Sequence, residues 1–250
     1  MLVEGRDAQY FFMALLNHLN YNNVEVQSGV EWRGHARIYR ESPDLISGLD
    51  LESEVDVSDL QAFHRVRNAI LSRLEPGKLE VKDFGGIRDL RNFLSAVWNA
   101  PSARTTIKAI GIVRDAERVA ATAFESAQDA VVSIGLNSPD SPQQVVGTKP
   151  RIGILILPPG KSDGMLEDVC LDAVHDDPAM QCVEEYFTCV QESVEYWPNR
   201  NPSKARVQAF LASRERPGLL LGQAAERGEW NWEHPTYSPI KRFIRDLAKG

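Results

Sequence analysis

Three short groups of acids are the residues of this sequence with the most chemistry to offer. Glu4 and Asp7 flank Gly5 in the opening stretch MLVEGRDAQYFF, Asp115 and Glu117 follow an apolar run in IVRDAE, and Glu167 and Asp168 stand side by side in GMLED. Carboxylates gathered without matching arginines repel one another, and a divalent cation relieves that repulsion most simply. An all-oxygen donor set favours Mg2+ or Mn2+ over zinc. Ions of that kind polarise a phosphodiester, generate a hydroxide at neutral pH and steady the leaving oxygen. Each group also has a plainer reading. Asp7 alone would cap a helix and Glu4 would be a surface acid; Asp115 would cap a helix beginning near Ala116. Glu167 and Asp168, in the first turn of a helix, would satisfy its dipole. What separates the two readings is whether the three groups meet.

The elements that must position them follow from apolar spacing. Met1-Leu2-Val3 reads as a short buried strand ending in a tight turn at Glu4-Gly5. Phe11, Phe12, Leu15, Leu16 and Leu19 recur at helical spacing and predict a helix from Asp7 to Leu19. Val24 to Val30 reads as a second extended segment. Residues 31–77 are polar, broken by Pro43, Gly48 and Pro76, and carry one helical run from Asp59 to Leu74, so they read as an insertion. Leu79 to Phe84 alternates as a strand does, Gly85-Gly86 turns, and Ile87 to Trp98 is helical. The rhythm repeats with a strand over Ile107–Val113, a helix over Val119–Val132, a Ser/Pro/Gln loop over 137–150 and a strand over Ile152–Leu157. Beyond Pro158-Pro159-Gly160 the chain reads as helical over 165–175, 179–195, 202–213, 218–226 and 239–248.

Continuous apolar strands alternating with amphipathic helices indicate a mainly parallel sheet covered on both faces. The expected fold class is therefore α/β, a single domain over 1–250 with an insertion after the first helix and a mostly helical extension over 160–250. In such sheets the C-terminal strand ends share one rim, where ligands bind. Glu4, Asp115, Glu117, Glu167 and Asp168 all follow strands, so they are expected at that rim.

Bulk properties set limits. With 250 residues, 43% apolar and 25% charged, the chain has the composition of a globular protein large enough for a substantial core. It contains no apolar run of the roughly 18 residues that cross a bilayer and no secretory leader pattern, so a cytoplasmic location is expected. Cys170, Cys182 and Cys189 are odd in number and include no CxxC pair, against a disulfide framework or a zinc ribbon. A net charge of −7 argues against nucleic-acid binding, but it is unevenly spread: residues 151–195 hold two basic and ten acidic side chains, and 196–250 hold ten basic and five acidic. Arg200, Lys204, Arg206, Arg214, Arg216, Lys241, Arg242 and Arg245 are thus candidates for backbone phosphates, or else a solvated helical face. Trp230 and Trp232 would stack on bases or anchor the terminal helices.

Val3-Glu4-Gly5-Arg6-Asp7 and Ile112-Val113-Arg114-Asp115-Ala116-Glu117 resemble the two signature motifs of Toprim domains, shared by topoisomerases, bacterial-type primases, OLD-family nucleases and a ribosomal-RNA maturase. Gly164-Met165-Leu166-Glu167-Asp168 after a strand ending in Leu-Pro, with Asn201-Pro-Ser-Lys204-Ala and the terminal helical segment, resembles more narrowly the Toprim-like proteins grouped as DUF3226, over most of the chain apart from residues 31–77. The resemblance implies a Toprim or Rossmann-like sheet. It implies Glu4 as metal ligand or general base, Asp7 as a supporting acid, Asp115 and Glu117 as metal ligands, Glu167 and Asp168 as further acids, and Lys204 as a catalytic lysine facing the phosphate. An isolated lysine on a helix is otherwise a solvated side chain. The second motif departs from the family's D-x-D, having Glu117 at its last place. A topoisomerase would need a separate DNA-gripping domain with its tyrosine, and a primase a zinc module; hydrolysis remains. The expected activity is metal-dependent phosphodiester cleavage by a Mg2+ or Mn2+ nuclease acting on DNA or RNA. The alternative is a non-cutting binding or regulatory module beside an ATPase partner, since this chain has no GxxxxGK[ST] of its own.

Overall fold

Five consecutive buried residues run through the centre of the segment Ala109–Asp115, the pattern of a strand covered on both faces. In the computed structural model, which describes residues 1–19, 30–32, 35–38, 54–56, 81–85, 89–100, 103–194 and 202–249, this segment is the middle of a five-stranded sheet. Its strands are β1 (Leu2–Val3), β5 (Lys82–Asp83), β6 (Ala109–Asp115), β7 (Val145–Val146) and β8 (Arg151–Leu157), in the order β5-β1-β6-β8-β7. β5, β1, β6 and β8 are parallel, and β7 pairs antiparallel with β8 at one edge. The protein is α/β. β2 (Val30–Trp32), β3 (His35–Ile38) and β4 (Glu54–Asp56) form a second, antiparallel sheet of three strands.

Helices α1 (Arg6–His18), α2 (Leu90–Trp98), α3 (Ala103–Thr106), α4 (Ala120–Ser133), α5 (Leu166–Val174), α6 (Pro178–Ser193), α7 (Pro202–Ala212), α8 (Leu221–Glu226) and α9 (Ser238–Ala248), with a short 3-10 turn at Pro235–Tyr237, complete the described elements. Strand alternation divides them between two cores. Leu2, Ile110, Ile112, Ile154 and Ile156 pack with Phe93, Leu94, Phe124 and Ala127 of α2 and α4. Val3, Val113, Leu155 and Leu157 pack with Phe11, Leu15, Val169, Phe243 and Ile244 on the other face. The apolar spacing in α1 thus has the role it implies: Phe11, Phe12, Leu15 and Leu16 are all fully buried.

Several boundaries differ from the sequence expectation, among them the start of α8, which is Leu221 rather than residue 218. β6 begins two residues later and runs on through Arg114 to Asp115, because Arg114 is buried rather than solvated. The loop expected over 137–150 contains β7, a strand too short to leave an alternation signal. α2 starts at Leu90 rather than Ile87. The helical run over Asp59–Leu74 and most of the extended segment Val24–Val30 lie outside the described residues. No helix among the described residues is long and apolar enough to cross a membrane. None of the three cysteines is in a disulfide; Cys170 is buried, Cys182 and Cys189 exposed.

Candidate functional site

The parallel register lays the strand ends along one rim. Val3 pairs with Asp83 on one side and Val113 on the other, so Glu4 stands level with Arg114, and Asp115 is level with Leu157. The turn after β1 depends on Gly5, whose φ of +89° is one that side chains other than glycine's rarely adopt. Gly5 N–H donates to Asp83 Oδ1 at 2.9 Å, and Gly85 N–H donates to the same oxygen at 2.8 Å. Asp83 therefore fastens the turns after β1 and β5 together. Glu4 thus follows the strand, Gly5 makes the turn, and Asp7 stands in the first turn of α1.

A cleft of about 480 Å3 opens above this rim. Glu4, Asp7, Asp115, Glu167 and Lys204 all line it, joined by Glu226, Arg6 and Tyr10. The first turns of α1, α5 and α7 supply Asp7, Glu167 and Lys204. α8 closes one side by lying close across α1: a Cβ on Gly222 would stand 2.7 Å from the Asp7 carbonyl oxygen. The three acidic groups of the sequence thus each contribute to one cleft.

Their local bonds differ. Asp115 caps a helix, but not the one that follows it: its Oδ1 accepts from the N–H of Leu166, first residue of α5, at 2.9 Å. α4 instead starts after Val119. Asp7 is not a cap either, since the residue preceding α1 is Gly5. Glu4 Oε2 accepts from Arg114 Nε at 3.3 Å, and Glu167 Oε1 is 3.6 Å from Lys204 Nζ. No cation is paired with Asp115 among the described residues.

Glu117 and Asp168 are near the cleft but do not line it. Glu117 is exposed, adopts φ +53°, and exchanges backbone hydrogen bonds of 2.8 Å with Gly164 in both directions. A left-handed non-glycine residue is uncommon, and here the two-bond bridge to Gly164 holds it. Asp168 accepts from the Met165 N–H at 2.7 Å and from Ser203 Oγ at 2.5 Å. It closes the start of α5 and ties α7 to it, which sets Lys204 beside Glu167.

The electrostatics follow from burial and crowding. Burial pushes the Asp115 carboxyl well above the usual carboxylate range, and the charges of Glu167 and Glu4 push it further, against the opposing Leu166 N–H. Burial also raises Glu4, with Arg114 working against it, and raises Glu167, with Lys204 working against it. These carboxyls hold protons more tightly than solvated ones. An all-oxygen donor set of this kind fits a hard divalent cation in its chemistry. As placed, no three His, Cys, Asp or Glu side chains among the described residues stand close enough together to hold one.

The chain matches the family described as "Protein of unknown function (DUF3226)" over residues 1–249. It belongs to the DUF3226 family. No curated protein gives a significant match. No solved structure does either.

Four residues that shape the site in this DUF3226 protein escape sequence reasoning: Asp83, Arg114, Ser203 and Glu226. Asp83 has a sequence signal in hindsight, an acid at a strand end directly before a glycine turn. Arg114 has another, a lone charge inside an apolar strand. Ser203 and Glu226 have none, because what places them is the packing of α7 and α8. The basic segment 196–250 is partly engaged: Arg206 makes a two-point pair with Glu184 at 2.8 and 3.1 Å, Arg214 pairs with Asp177 at 2.9 Å, and Lys241 with Glu233 at 3.3 Å. Arg216, Arg242 and Arg245 are exposed, and Arg200 lies outside the described residues. Trp230 and Trp232 are both buried, Trp230 stacked on Phe210 and Trp232 edge-on to Phe11.

Proposed function

We propose that this DUF3226 protein is a metal-dependent phosphodiesterase of Toprim type, a nuclease acting on DNA or RNA. The observation that carries the reading is Asp115: a strand-end carboxylate with no cation partner among the described residues, in a cleft also lined by Glu4, Asp7 and Glu167. Asp115, Glu167 and Glu4 would hold Mg2+ or Mn2+, with Asp7 in support; a bound ion supplies Lewis-acid polarisation of the phosphate and a hydroxide at neutral pH.

The chain's own residues do the rest. Where it does not ligate the ion, Glu4 would instead serve as general base toward the attacking water, its carboxyl taking up a proton more readily than a solvated glutamate. Lys204 reaches into the cleft from α7 and offsets negative charge on the phosphate, while the first turns of α1, α5 and α7 present their positive dipole ends to it. Asp168 holds α7 against α5 through its side chain, and Glu117 holds the end of β6 against the loop before α5 through its backbone.

A second reading, a Toprim-like module that binds without cutting beside an ATPase partner, is favoured by one observation. Glu4 and Glu167 already have cations of their own in Arg114 and Lys204, so part of the charge that a metal would neutralise is neutralised internally.

The test is cleavage of single- and double-stranded DNA and RNA by the purified protein in Mn2+ or Mg2+, with and without its Glu4→Gln variant. The expected result is metal-dependent cleavage of at least one substrate, reduced at least about 100-fold in the variant. Mn2+ binding with no cleavage of any substrate would favour the binding module.

A further inference from the structure

Arg114 is the anomaly of β6. It follows five apolar or glycine residues in the strand and is itself only 2% exposed. A buried ion pair is weak evidence for stability, because an aliphatic side chain of similar volume serves the core as well or better. Arg114 therefore calls for an explanation beyond packing.

Its geometry supplies one. Alternation puts Arg114 on the face of Ile110 and Ile112, beneath α4, and Asp115 on the opposite face with Val113. The guanidinium is thus turned away from Asp115 and toward Glu4, which the register sets level with it on the adjacent strand's end. Nη1 donates to the Ala123 carbonyl of α4 at 3.1 Å, which fixes the plane, and Nε donates to Glu4 Oε2 at 3.3 Å. Among the described residues Glu4 is its one ion-pair partner. Glu4 meanwhile still lines the cleft, its side chain 23% exposed.

We infer that Arg114 is a positioning residue: anchored on the Ala123 carbonyl, it grips one carboxylate oxygen of Glu4 from beneath the rim and so holds that side chain at the cleft. The inference rests on the metal-dependent reading for its consequence, though not for the contact itself. Arginine suits the place because its planar fork reaches two acceptors in fixed directions, which an ammonium does not.

The test compares the unaltered protein with Arg114→Met, Arg114→Lys, Glu4→Gln and the double variant Arg114→Met/Glu4→Gln. Mn2+ affinity is read by paramagnetic resonance of the free ion, and folding by circular dichroism. Arg114→Met is expected to fold and to weaken Mn2+ binding about tenfold, and Arg114→Lys to fall between it and the unaltered protein. The double variant is expected to bind no more weakly than Glu4→Gln alone, because Arg114 acts through Glu4. Unchanged affinity in Arg114→Met, or losses that multiply in the double variant, would overturn the inference. Should Arg114→Met not fold, Arg114→Lys carries the same comparison. A metal-free measurement keeps the contact separate from the metal reading: the 15N resonance of Arg114 Nε–H is expected to shift and to exchange faster with water in Glu4→Gln. An unaltered protein that ignores Mn2+ would sink the metal reading, whereas an Arg114 resonance indifferent to Glu4→Gln would sink this one.

Discussion

Asp115→Asn is expected to raise the melting temperature of the metal-free protein while abolishing its stabilisation by Mn2+. The Asp115 carboxyl holds its proton to a higher pH in the folded chain than in the unfolded one, because it is buried and faces Glu167 and Glu4. Between those two pH values the folded state binds more protons than the unfolded state. The contribution of Asp115 to stability is therefore greatest below the unfolded value of about 4 and is lost as pH climbs through the raised folded value, with a slope of at most about 1.4 kcal/mol per pH unit for one proton. Asparagine has no such loss, and its side-chain oxygen still accepts the Leu166 N–H. The variant should gain on the unaltered protein as pH rises, because asparagine has no proton to lose. Mn2+ at a hundred times its Kd should stabilise the unaltered protein by about 2.7 kcal/mol and the variant not at all. Phosphodiester cleavage should fall more than about 100-fold, the upper end of what losing a residue behind a metal ligand costs. Differential scanning calorimetry across pH, with and without Mn2+, measures the first two; equal pH profiles for both proteins would contradict the electrostatic account.

Trp230→Ala has the largest expected effect on stability. The Trp230 ring is 2% exposed, lies 6.0 Å from Phe210 at 16°, and its Nε1–H donates to the Leu221 carbonyl at 3.2 Å. Removing a buried tryptophan costs about 3–5 kcal/mol, here a fall of roughly 6–20 °C. The lost hydrogen bond also frees the start of α8, the element that carries Gln223 and Glu226 along one side of the cleft. A thermal melt together with nucleic-acid affinity at several salt concentrations tests the anchoring role that burial gives this side chain. The expected outcome is a large drop in melting temperature with the salt dependence of binding unchanged, because no phosphate contact is removed. Full stability with weakened nucleic-acid binding would mean that the indole stacks on bases.

Local signals carried most of the architecture. Phe11, Phe12, Leu15 and Leu16 on α1, the apolar runs of β6 and β8, and the helices beyond Pro158 all follow from periodicity, which is set by backbone geometry and survives in any context. That Glu4 and Asp115 line one cleft was likewise legible, because parallel strands must end on the same side, and Glu167 reaches it from the first turn of α5; as placed, no three of the acids among the described residues stand close enough to share an ion. What could not be read is what each acid touches. Asp115 caps a helix 51 residues further on, and Asp168 is held by Ser203, 35 residues away. Bonds of that kind depend on how α5 and α7 dock, and no spacing in the chain encodes it. Arg114 is the instructive case: next to Asp115 it looks like the polar end of a strand, yet alternation sends the two side chains to opposite faces and buries the cation under α4.

The most direct test of the account is a crystal grown in MnCl2, with diffraction recorded at the manganese absorption edge. The account predicts an anomalous peak in the cleft, bonded to oxygens of Asp115 and Glu167 with Glu4 turned toward it. No peak at the rim, or manganese found only on acids elsewhere on the surface, would contradict it.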